Sequence, residues 1–488
     1  MHFVADLHLH SKYSRAVSRD MTLPIMARYA KQKGLDILTA SDFTHPLWFK
    51  ELRALLKETH EGIYELKEDP STGSGQARKT YFLLSTEISL IYKQGEKLRR
   101  IHNLIFAPNL ETVEKIIQEL LRRGANLMAD GRPIIGMSSK TLLSLILEID
   151  SRCFLIPCHV WTPHFGVYGS ASGFDSLEEA FEDLAPYIYG VETGLSSDPE
   201  MNWQIKELDS RSILSFSDAH SMAKMGREAT IFDLAKPTYM NIKEAIMKPM
   251  LKVESGDLKL DTENRNLRIK EKQIKHQASS NQYLASIIYS QSSNRIVYSI
   301  EFYPEEGKYH FSGHRNCKVV FGPEDIKTKG NMCPVCGRRL TEGVLYRLQQ
   351  LATKSAVVKK QTNAGGLTWF VDGTKKHPPF VKLVPLNEII AESFSSTVFS
   401  QKVKDMFAKV CEELGGEVNV LLKVPIEDIQ KVAGVRVAQG IQKVRLGSVV
   451  VDPGFDGEYG KVHIWQEKEK LVKQYAKLGK KPQLTLEF

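Results

Sequence analysis

Two hydrophobic patterns alternate over the first 250 residues of the chain. Short apolar runs, typical of buried strands, are separated by segments with the 3.6-residue period of amphipathic helices. In residues 110–123, for example, Val113, Ile116 and Leu120 fall on one helical face. The apolar runs are Phe3–Leu9, Asp36–Ala40, Tyr81–Ile91, Ile101–Ala107, Phe154–Val160, Ile188–Glu192 and Ile213–Phe216. These seven strand-and-helix repeats predict an α/β fold built on a parallel barrel or sheet.

The pattern changes near residue 255. Residues 256–294 are rich in Lys, Asn, Gln and Ser and lack periodicity, which indicates a polar linker, and residues 69–79 indicate a surface loop. Helical periodicity returns at Gln401–Leu414 and within Ile426–Val444. The predicted units are a first domain at 1–255, the linker at 256–294, a strand-and-turn module at 295–355, a mainly helical α/β region at 356–475 and a tail at 476–488.

Composition narrows the class of protein. The chain has 488 residues, of which 42% are hydrophobic and 25% charged, and these ordinary fractions exclude a disordered or collagen-like protein. No stretch reaches the ~18 apolar residues of a membrane helix and the chain start has no secretory leader, so we expect a cytoplasmic protein without membrane contact. No heptad repeat is present, and we expect a monomer. The net charge of +8 permits a polyanionic partner.

The residues that follow the predicted strands are nearly all of metal-binding types. His8 and His10 lie two residues apart, so the period of a strand turns both imidazoles to the same side. The other such residues are Asp42, Glu87, His102, His159, Glu192, Asp218 and His220. Each histidine alone could be a hydrogen-bonded structural residue, but together at one end of a barrel they predict a multinuclear metal site. Imidazole and carboxylate ligands suit Zn²⁺, Mn²⁺ or Fe²⁺ better than Mg²⁺ alone.

These motifs carry a family resemblance over roughly residues 1–250. The segments DLHLHS, SD, STE, IHNLIF, PCHVW and SDAH resemble the PHP phosphoesterase domain. The resemblance implies a distorted barrel of seven βα units, with two or three metal ions that bind a phosphate ester and activate a water. The implied ligands are His8, His10, Glu87 and Asp218 for one ion and Glu87, His102 and His159 for a second, with Glu87 bridging and His220 completing the site.

Two positions depart from the pattern of that family. Arg15 stands where the family usually has an acidic residue, and Phe43 stands where it usually has the histidine of a TDH motif. Both missing groups belong to the third metal of the family, so we expect two catalytic divalent ions, Zn²⁺, Mn²⁺ or Mg²⁺, unless His45 replaces the lost imidazole. We expect Asp42 and Glu192 to orient ligands rather than to bind an ion.

A second metal site is predicted in the module at 295–355. His314 and Cys317 form one pair and Cys333 and Cys336 another, separated by 15 residues. Two such pairs predict one structural zinc ion in a zinc ribbon, with His310 a less favoured alternative to His314. The remaining cysteines, in apolar surroundings, are expected to be small core residues.

Two loops beside the predicted metal site are candidates for substrate contact. The segments are WTPHFGVYGSASGFDS after His159 and GLSSDPEMNW after Glu192. Their aromatic side chains could stack on a base, while their small residues let a substrate approach; the alternative is a loop packed into the core. The candidate residues are Trp161, His164, Phe165, Tyr168, Gly169, Ser170, Asp198, Asn202 and Trp203.

With the zinc motif CPVCGRRLTEGVLYR, the segment MGREATIF and the C-terminal segment VDPGFDGEYGKVHI, the resemblance extends over nearly the whole chain. Together these segments resemble the endonuclease Q family, whose members nick DNA on the 5′ side of deaminated bases (hypoxanthine, uracil and xanthine) and at abasic sites. The resemblance implies a metal-dependent DNA repair endonuclease that leaves a 3′-hydroxyl. It also implies a zinc ribbon and a C-terminal mainly helical region that grip damaged DNA.

Two other functions are alternatives to a DNA endonuclease. A PHP-type small-molecule phosphatase would share the metal chemistry but would not need a zinc ribbon or a basic C-terminal half. A non-catalytic DNA-binding scaffold would explain the departures at Arg15 and Phe43, yet the other metal-type residues argue against a decayed site. No G-x-x-x-x-G-K-[ST] motif is present, so ATP-driven unwinding is not expected.

The last six residues, QLTLEF, end the chain on alternating apolar positions. Gln483, Leu484, Leu486 and Phe488 resemble the peptides by which proteins bind a replication sliding clamp, the bacterial clamp or PCNA. We therefore expect the clamp as a second partner. The alternative is a final strand packed on the domain.

Overall fold

The computed structural model describes residues 1–68, 79–256 and 294–465, with side chains described up to residue 248 in the second range. Outside the described residues lie residues 257–293 of the predicted linker, almost all of the predicted loop at 69–79 and the peptide containing Gln483, Leu484, Leu486 and Phe488. Over the described ranges, no helix combines the length and the apolar character needed to cross a membrane.

Each of the seven predicted apolar runs overlaps a strand, and helices lie between several of them. The strands to residue 233 are β1 His2–Asp6, β2 Ile37–Thr39, β3 Leu56–His60, β4 Ile63–Leu66, β5 Tyr81–Gln94, β6 Lys97–Ala107, β7 Ile134–Ile135, β8 Phe154–Pro157, β9 Gly190–Glu192, β10 Ser212–Leu214 and β11 Ala229–Asp233. The helices are α1 Leu23–Lys33, α2 Pro46–Leu55, α3 Leu110–Arg122, α4 Ser139–Ile149, α5 Leu177–Phe181, α6 Pro199–Asn202 and α7 Tyr239–Gly256. The α/β class is confirmed.

Helix α3 shows why the periodic segments become helices. Asn109 caps it, because its side chain accepts a hydrogen bond from the backbone N–H of Thr112 at 2.8 Å. Of the apolar stripe predicted for this helix, Val113, Ile116, Ile117 and Leu120 are buried, whereas Leu121 is exposed. Gly124 follows with φ of 82°, a left-handed conformation that glycine adopts without strain.

The pairing of the strands is less regular than the alternating pattern predicts. Strands β1, β2 and β5 pair in parallel, but β5 and β6 form a long antiparallel hairpin. Only Gly95 and Glu96 lie between them, and a parallel pair needs a crossover of a dozen or more residues. Strand β11, absent from the predicted set, lies antiparallel to β1. The expectation of an exclusively parallel arrangement is therefore wrong for β6 and β11.

The strands still bring their functional ends together. Strand β8 pairs antiparallel with β6 and therefore runs in the direction of β5. The backbone N–H of Val160, just after β8, donates to the carbonyl of Glu192 at the end of β9, and β9 pairs in parallel with β10. A bridge between Leu9 and Ala219 connects the ends of β1 and β10. Side chains that follow these strands consequently face one region.

The sheet continues across the predicted boundary at residue 294. Strand β12, Arg295–Glu301, pairs antiparallel with β11, and later strands extend the sheet beyond it. The later strands are β13 Ser312–His314, β14 Val319–Phe321, β15 Val358–Thr362, β16 Thr368–Asp372, β17 Phe380–Lys382, β18 Val450–Asp452 and β19 Lys461–His463. Of these, β15, β16 and β17 belong to the same sheet as β1.

The region between β12 and β15 contains the four residues of the predicted zinc site, and we call this region the zinc module. It contains the β13–β14 hairpin and helices α8 Pro323–Lys329 and α9 Val344–Leu351. Arg347 on α9 attaches the module to the loop after β8. Its Nε donates to the carbonyl of Tyr168 at 3.1 Å. Its Nη2 donates to the carbonyl of Phe174 at 3.1 Å and contacts Asp175 at 2.5 Å. The module is thus held against the first domain by a partly buried arginine.

The C-terminal region is mainly helical. Its helices are α10 Leu386–Ser393, α11 Gln401–Leu414, α12 Glu417–Leu422, α13 Ile426–Ala433 and α14 Val435–Arg445. Helix α11 has the predicted bounds. A buried ion pair joins this region to the first domain, since Lys33 Nζ on α1 lies 2.6 Å from Glu417 Oε2 on α12 and the two side chains are 3% and 7% exposed. Glu417 also accepts the backbone N–H of Leu386.

We predict that Lys33→Met destabilises the protein by about 3–5 kcal/mol, because Glu417 would be left as a buried unpaired charge. The measurement is the free energy of unfolding from denaturant titration. Lys327→Met is the matched control: Lys327 forms an exposed pair with Glu324, and its loss should cost less than about 1 kcal/mol. Equal losses in the two variants would contradict the prediction, and the double variant Lys33→Met/Glu417→Leu should recover stability.

Candidate metal centre

Three residues at strand ends adopt a backbone conformation that is rare for their type. Asp42, His159 and Asp218 have φ of 39°, 30° and 46°, in or near the left-handed region. Such conformations cost about 1–3 kcal/mol each and persist where the surroundings enforce them. Here they turn three functional side chains toward the same region at the ends of β2, β8 and β10.

One ligand group gathers around Glu87 Oε2. His10 Nε2 lies 3.2 Å from this oxygen and 3.0 Å from Asp218 Oδ1, while His8 Nε2 lies 3.7 Å from each of the same two oxygens. The ligand atoms of the four residues all lie within 4.8 Å of one another. His8 Nε2 is buried and has no hydrogen-bond partner among the described residues. A buried imidazole nitrogen facing two carboxylates fits a divalent cation.

A second group gathers around the other oxygen of Glu87. His102 Nδ1 lies 2.5 Å and His159 Nε2 3.3 Å from Glu87 Oε1, and the two imidazole nitrogens are 3.3 Å apart. These three residues form a separate group of converging ligand atoms. Glu87 thus presents one oxygen to each group, which is the arrangement a carboxylate needs to bridge two ions.

Two further carboxylates hold the histidines of the first group. Glu192 Oε1 lies 2.8 Å from His8 Nδ1, and its Oε2 accepts the backbone N–H of His159 at 2.8 Å. Asp42 Oδ1 lies 3.2 Å from His10 Nδ1, and its Oδ2 accepts hydrogen bonds from Ser11 and Ser14. Because a carboxylate accepts, each Nδ1 carries the hydrogen and each Nε2 is left to bind a metal. Asp42 and Glu192 thus contact the imidazole nitrogens that lie away from the ligand group of Glu87 and Asp218.

The electrostatics of the site favour a cation. Burial alone would raise the pKa of Glu87, but the neighbouring His102 and Arg132 hold that pKa well below its usual value. Burial likewise opposes ionisation of Asp218, yet His8 and His10 keep its pKa well below the ordinary range. Both carboxylates are therefore charged at neutral pH. Since histidine must lose its second proton to bind a metal, ion binding at these groups should release protons.

His220 lies at the open face of the site rather than inside either ligand group. Its side chain is 32% exposed, its Nδ1 lies 2.9 Å from the backbone carbonyl of Asp218 and its ring lies 4.7 Å from that of His10. His45 joins neither group: its ring stacks on Tyr13 with centroids 4.4 Å apart. Arg15 points outward, 75% exposed, toward Asp130. The structure gives no support for His45 as a replacement ligand.

Sequence reasoning missed Arg132. Its Nη1 donates to Glu87 Oε2 at 3.1 Å, and its side chain is 24% exposed. The residue lies in a short loop before β7, outside the strand ends that the pattern analysis followed. The sequence feature that marks this position is an Asp-Gly-Arg-Pro turn after an amphipathic helix. Such a turn does not predict that Arg132 contacts a residue 45 positions away.

Four of the predicted substrate contacts are core residues, which corrects the expectation that they touch DNA. Trp161 is fully buried and donates through Nε1 to Asn202 Oδ1 at 2.9 Å. Tyr168 is fully buried and its hydroxyl bonds to Glu207. Trp203 is 3% exposed and stacks on His377. The large rings of Trp161, Tyr168 and Trp203 gain more from packing than from solvent contact, and Asn202 is buried with its side chain hydrogen-bonded to Trp161 and to the carbonyl of Asp198, so the core alternative holds for these positions.

The remaining candidates differ in exposure. His164 is exposed, and Phe165 is half-buried with its ring 4.3 Å from that of His102. Ser170 contacts the carbonyl of Glu342 in the zinc module. Gly169 and Asp198 are buried; Asp198 caps α6 and forms a 2.6 Å ion pair with Lys382. Of the predicted contact residues, His164 is exposed, and the half-buried Phe165 contacts His102 of the metal centre.

The zinc-module ligands also converge. The ligand atoms of His314, Cys317, Cys333 and Cys336 lie within 4.8 Å of one another, and His310 is not among them. Burial opposes ionisation of the Cys333 thiol, but backbone N–H groups of Cys336 and Val335 lower its pKa to about 6. A set of four such ligands, with a thiolate available at neutral pH, fits a closed structural zinc site.

Comparisons with known proteins cover most of the chain. Residues 385–448 match the family model of the MJ0043 C-terminal domain. Protein MJ0043 of Methanocaldococcus jannaschii is 27% identical over 322 residues, 66% of this chain and 33% of that protein, so the chain spans about a third of its length. Protein YqxK of Bacillus subtilis is 27% identical over 469 residues, 94% of this chain and 98% of that protein.

Two solved structures match over nearly their whole length. The crystal structure of the lesion-specific endonuclease PfuEndoQ from Pyrococcus furiosus has 28% sequence identity and a TM-score of 0.72, covering 96% of each chain. A complex of Endonuclease Q with a 27-mer duplex substrate, with an abasic lesion at the active site, has 29% identity and a TM-score of 0.73, covering 96% of this chain and 98% of the other.

The fold and the site together define an α/β protein with a buried cluster of metal-binding side chains. Its similarity to two Endonuclease Q structures over 96% of the chain supports the endonuclease Q family assignment predicted from its motifs.

We predict that Glu192→Gln weakens Mn²⁺ binding by about 10–100-fold, because the amide no longer fixes His8 as strongly with its Nε2 toward the metal. Isothermal titration of the metal-free protein measures the affinity. Glu178→Gln, which changes an exposed glutamate on α5, should bind Mn²⁺ like the unchanged protein. Unaltered affinity in the Glu192 variant would contradict an orienting role.

For the zinc module, we predict that Cys333→Ser removes about one zinc ion per chain and lowers the midpoint of thermal unfolding, since the small core of the module depends on the metal. Elemental analysis of purified protein measures the zinc. Cys411→Ala, in the core of the helical region, should retain the full zinc content. Retention of zinc by the Cys333 variant would show that the four residues are not the ligands.

Proposed function

We propose that the protein is a metal-dependent DNA repair endonuclease that nicks the phosphodiester 5′ to deaminated bases and abasic sites. The observation that carries the proposal is the pair of ligand groups joined by Glu87, open to solvent at Asp218 and His220. The similarity over 96% of the chain to an Endonuclease Q complex with a duplex that has an abasic lesion at the active site supports DNA as the substrate. The barrel of the first domain would be of the PHP type.

Two divalent ions held by these residues would polarise the phosphate, make a water molecule more acidic and stabilise the leaving oxygen. The protein's own contribution is geometric and electrostatic. Glu192 and Asp42 hold the imidazoles in one tautomer, and Glu87 and Asp218 stay ionised. Hydrolysis adds one water across the bond between phosphorus and the 3′ oxygen, so the products are a 3′-hydroxyl and a 5′-phosphate on the damaged nucleotide.

Recognition of the lesion would depend on the surface next to the metal centre. His164 and Phe165 are the predicted contact residues whose side chains reach this surface, and Phe165 lies against His102. Deaminated bases pair weakly, and an abasic site has no base to unpair, so bringing such a nucleotide to the site costs less than extruding a normal one. An aromatic side chain there can stack on the displaced nucleotide.

The zinc module would help to hold the DNA backbone. Arg338 and Arg339 are exposed beside the zinc ligands, and Arg339 Nη2 forms an ion pair with Glu342. Arginine on an exposed surface can bind phosphate oxygens without reading sequence. Together with the net charge of +8, this supports a contact with the duplex outside the cleavage site.

The test is incubation of the protein and Mn²⁺ with end-labelled duplexes that contain one deoxyinosine, deoxyuridine, abasic site or normal base. We expect a single nick 5′ to each lesion and none in the normal duplex. Asp218→Ala should lower the nicking rate by at least about 10²-fold while DNA binding is retained, because one ligand of the first group is lost.

Asp183→Ala is the control, since Asp183 forms only an exposed pair with Lys140, and it should nick at the normal rate. Two outcomes would contradict the proposal. Hydrolysis of a small phosphate monoester without nicking would indicate the phosphatase. DNA binding without any hydrolysis in the unchanged protein would indicate the scaffold.

A further inference from the structure

Arg132 lies next to both the ligand groups and the solvent. Its Nη1 donates to Glu87 Oε2, the oxygen that faces the first ligand group, at 3.1 Å. Its guanidinium carries four further N–H donors, and 24% of the side chain is exposed. Arg132 is therefore a partly exposed cation at the edge of the metal centre with N–H donors beyond the one that contacts Glu87.

The loop that carries Arg132 is held firmly. Asp130 Oδ1 accepts the backbone N–H of Arg132 at 3.1 Å, and the backbone N–H of Gly131 donates to the carbonyl of Tyr13 at 3.0 Å. Gly131 packs so closely on Asp42 that a Cβ there would come 2.5 Å from Asp42 Oδ2. The position of Arg132 is thus tied to the carboxylate that orients His10.

Exposure shows from which side a ligand must arrive. The side chains of His8, His10 and Glu87 are at most 1% exposed and form the floor of the site. Asp218, Arg132 and His220 are 23%, 24% and 32% exposed and form its rim. A phosphate that approaches the first ligand group meets these three partly exposed residues, of which Arg132 carries a permanent positive charge.

From this geometry we propose that Arg132 binds a non-bridging oxygen of the phosphate at the metal centre and stabilises the charge that develops there during cleavage. A guanidinium offers parallel N–H donors that match two phosphate oxygens. Its pairing with Glu87 keeps it charged and directs it to the site before the substrate arrives. The cleavage role rests on the proposed function, but the phosphate contact requires only a phosphate group.

The experiment compares Arg132→Ala and Arg132→Lys with the unchanged protein, all loaded with Mn²⁺. Three quantities are measured: bound metal per chain, the dissociation constant for inorganic phosphate by calorimetry, and the single-turnover nicking rate on an abasic duplex. Arg53→Ala is the matched control, because Arg53 also pairs with one glutamate, Glu114, but on the surface at 3.3 Å.

We expect Arg132→Ala to keep its metal, to bind phosphate at least tenfold more weakly and to nick about 10²-fold more slowly. Arg132→Lys should recover part of the phosphate affinity, since it restores the charge but not the planar fork. Arg53→Ala should match the unchanged protein in all three measurements.

Unchanged phosphate affinity in Arg132→Ala would overturn the inference, and so would a loss of bound metal, which would make Arg132 only a structural partner of Glu87. If the unchanged protein does not nick DNA, the proposed function fails. In that case the phosphate measurement still decides the role of Arg132: a weaker affinity in the alanine variant supports it, and an equal affinity overturns it.

Discussion

The metal centre depends on one buried carboxylate, Glu87, which serves two groups of histidines at once. Its two oxygens point to different sets of imidazoles, and its side chain is 1% exposed. Burying a charged carboxylate without partners costs a large amount of free energy. The groups around Glu87 must therefore lie within contact distance of its two oxygens. The long β5–β6 hairpin puts Glu87 and His102 on adjacent strands, and the ends of β1, β8 and β10 bring the other ligands to the same point.

Much of this site could be predicted from the sequence because metal ligands are chemically distinctive and strand ends are recognisable. The residues His8, His10 and Glu87 follow or lie in apolar runs whose strands the structure contains. The pairing of the strands could not be predicted in the same way. The direction of β6 depends on a two-residue turn, and the direction of β11 depends on a partner strand that is distant in the sequence. Trp161 and Tyr168 show the limit of composition, because aromatic residues in a loop are equally suited to stacking and to packing.

The second half of the chain is bound to the first by specific polar contacts. Arg347 bonds to backbone carbonyls of the loop that follows β8, and this loop also carries His164 and Phe165. Lys33 and Glu417 make a buried pair between α1 and α12. Because partly buried charged contacts are sensitive to distance, the zinc module and the helical region are coupled to the shape of the first domain, and the surface beside the metal centre is a product of both halves.

The sheet that the two halves share limits where the chain can be truncated. Strand β11 lies between β1 and β12, so ending the chain at residue 255 would leave the backbone N–H and carbonyl groups of β11 unpaired along one side. Its buried side chains include Ile231 and Phe232, and an exposed apolar edge strand is a template for aggregation. The first domain consequently shares one sheet with the residues that follow it. It is part of a larger folding unit whose sheet is completed from the second half.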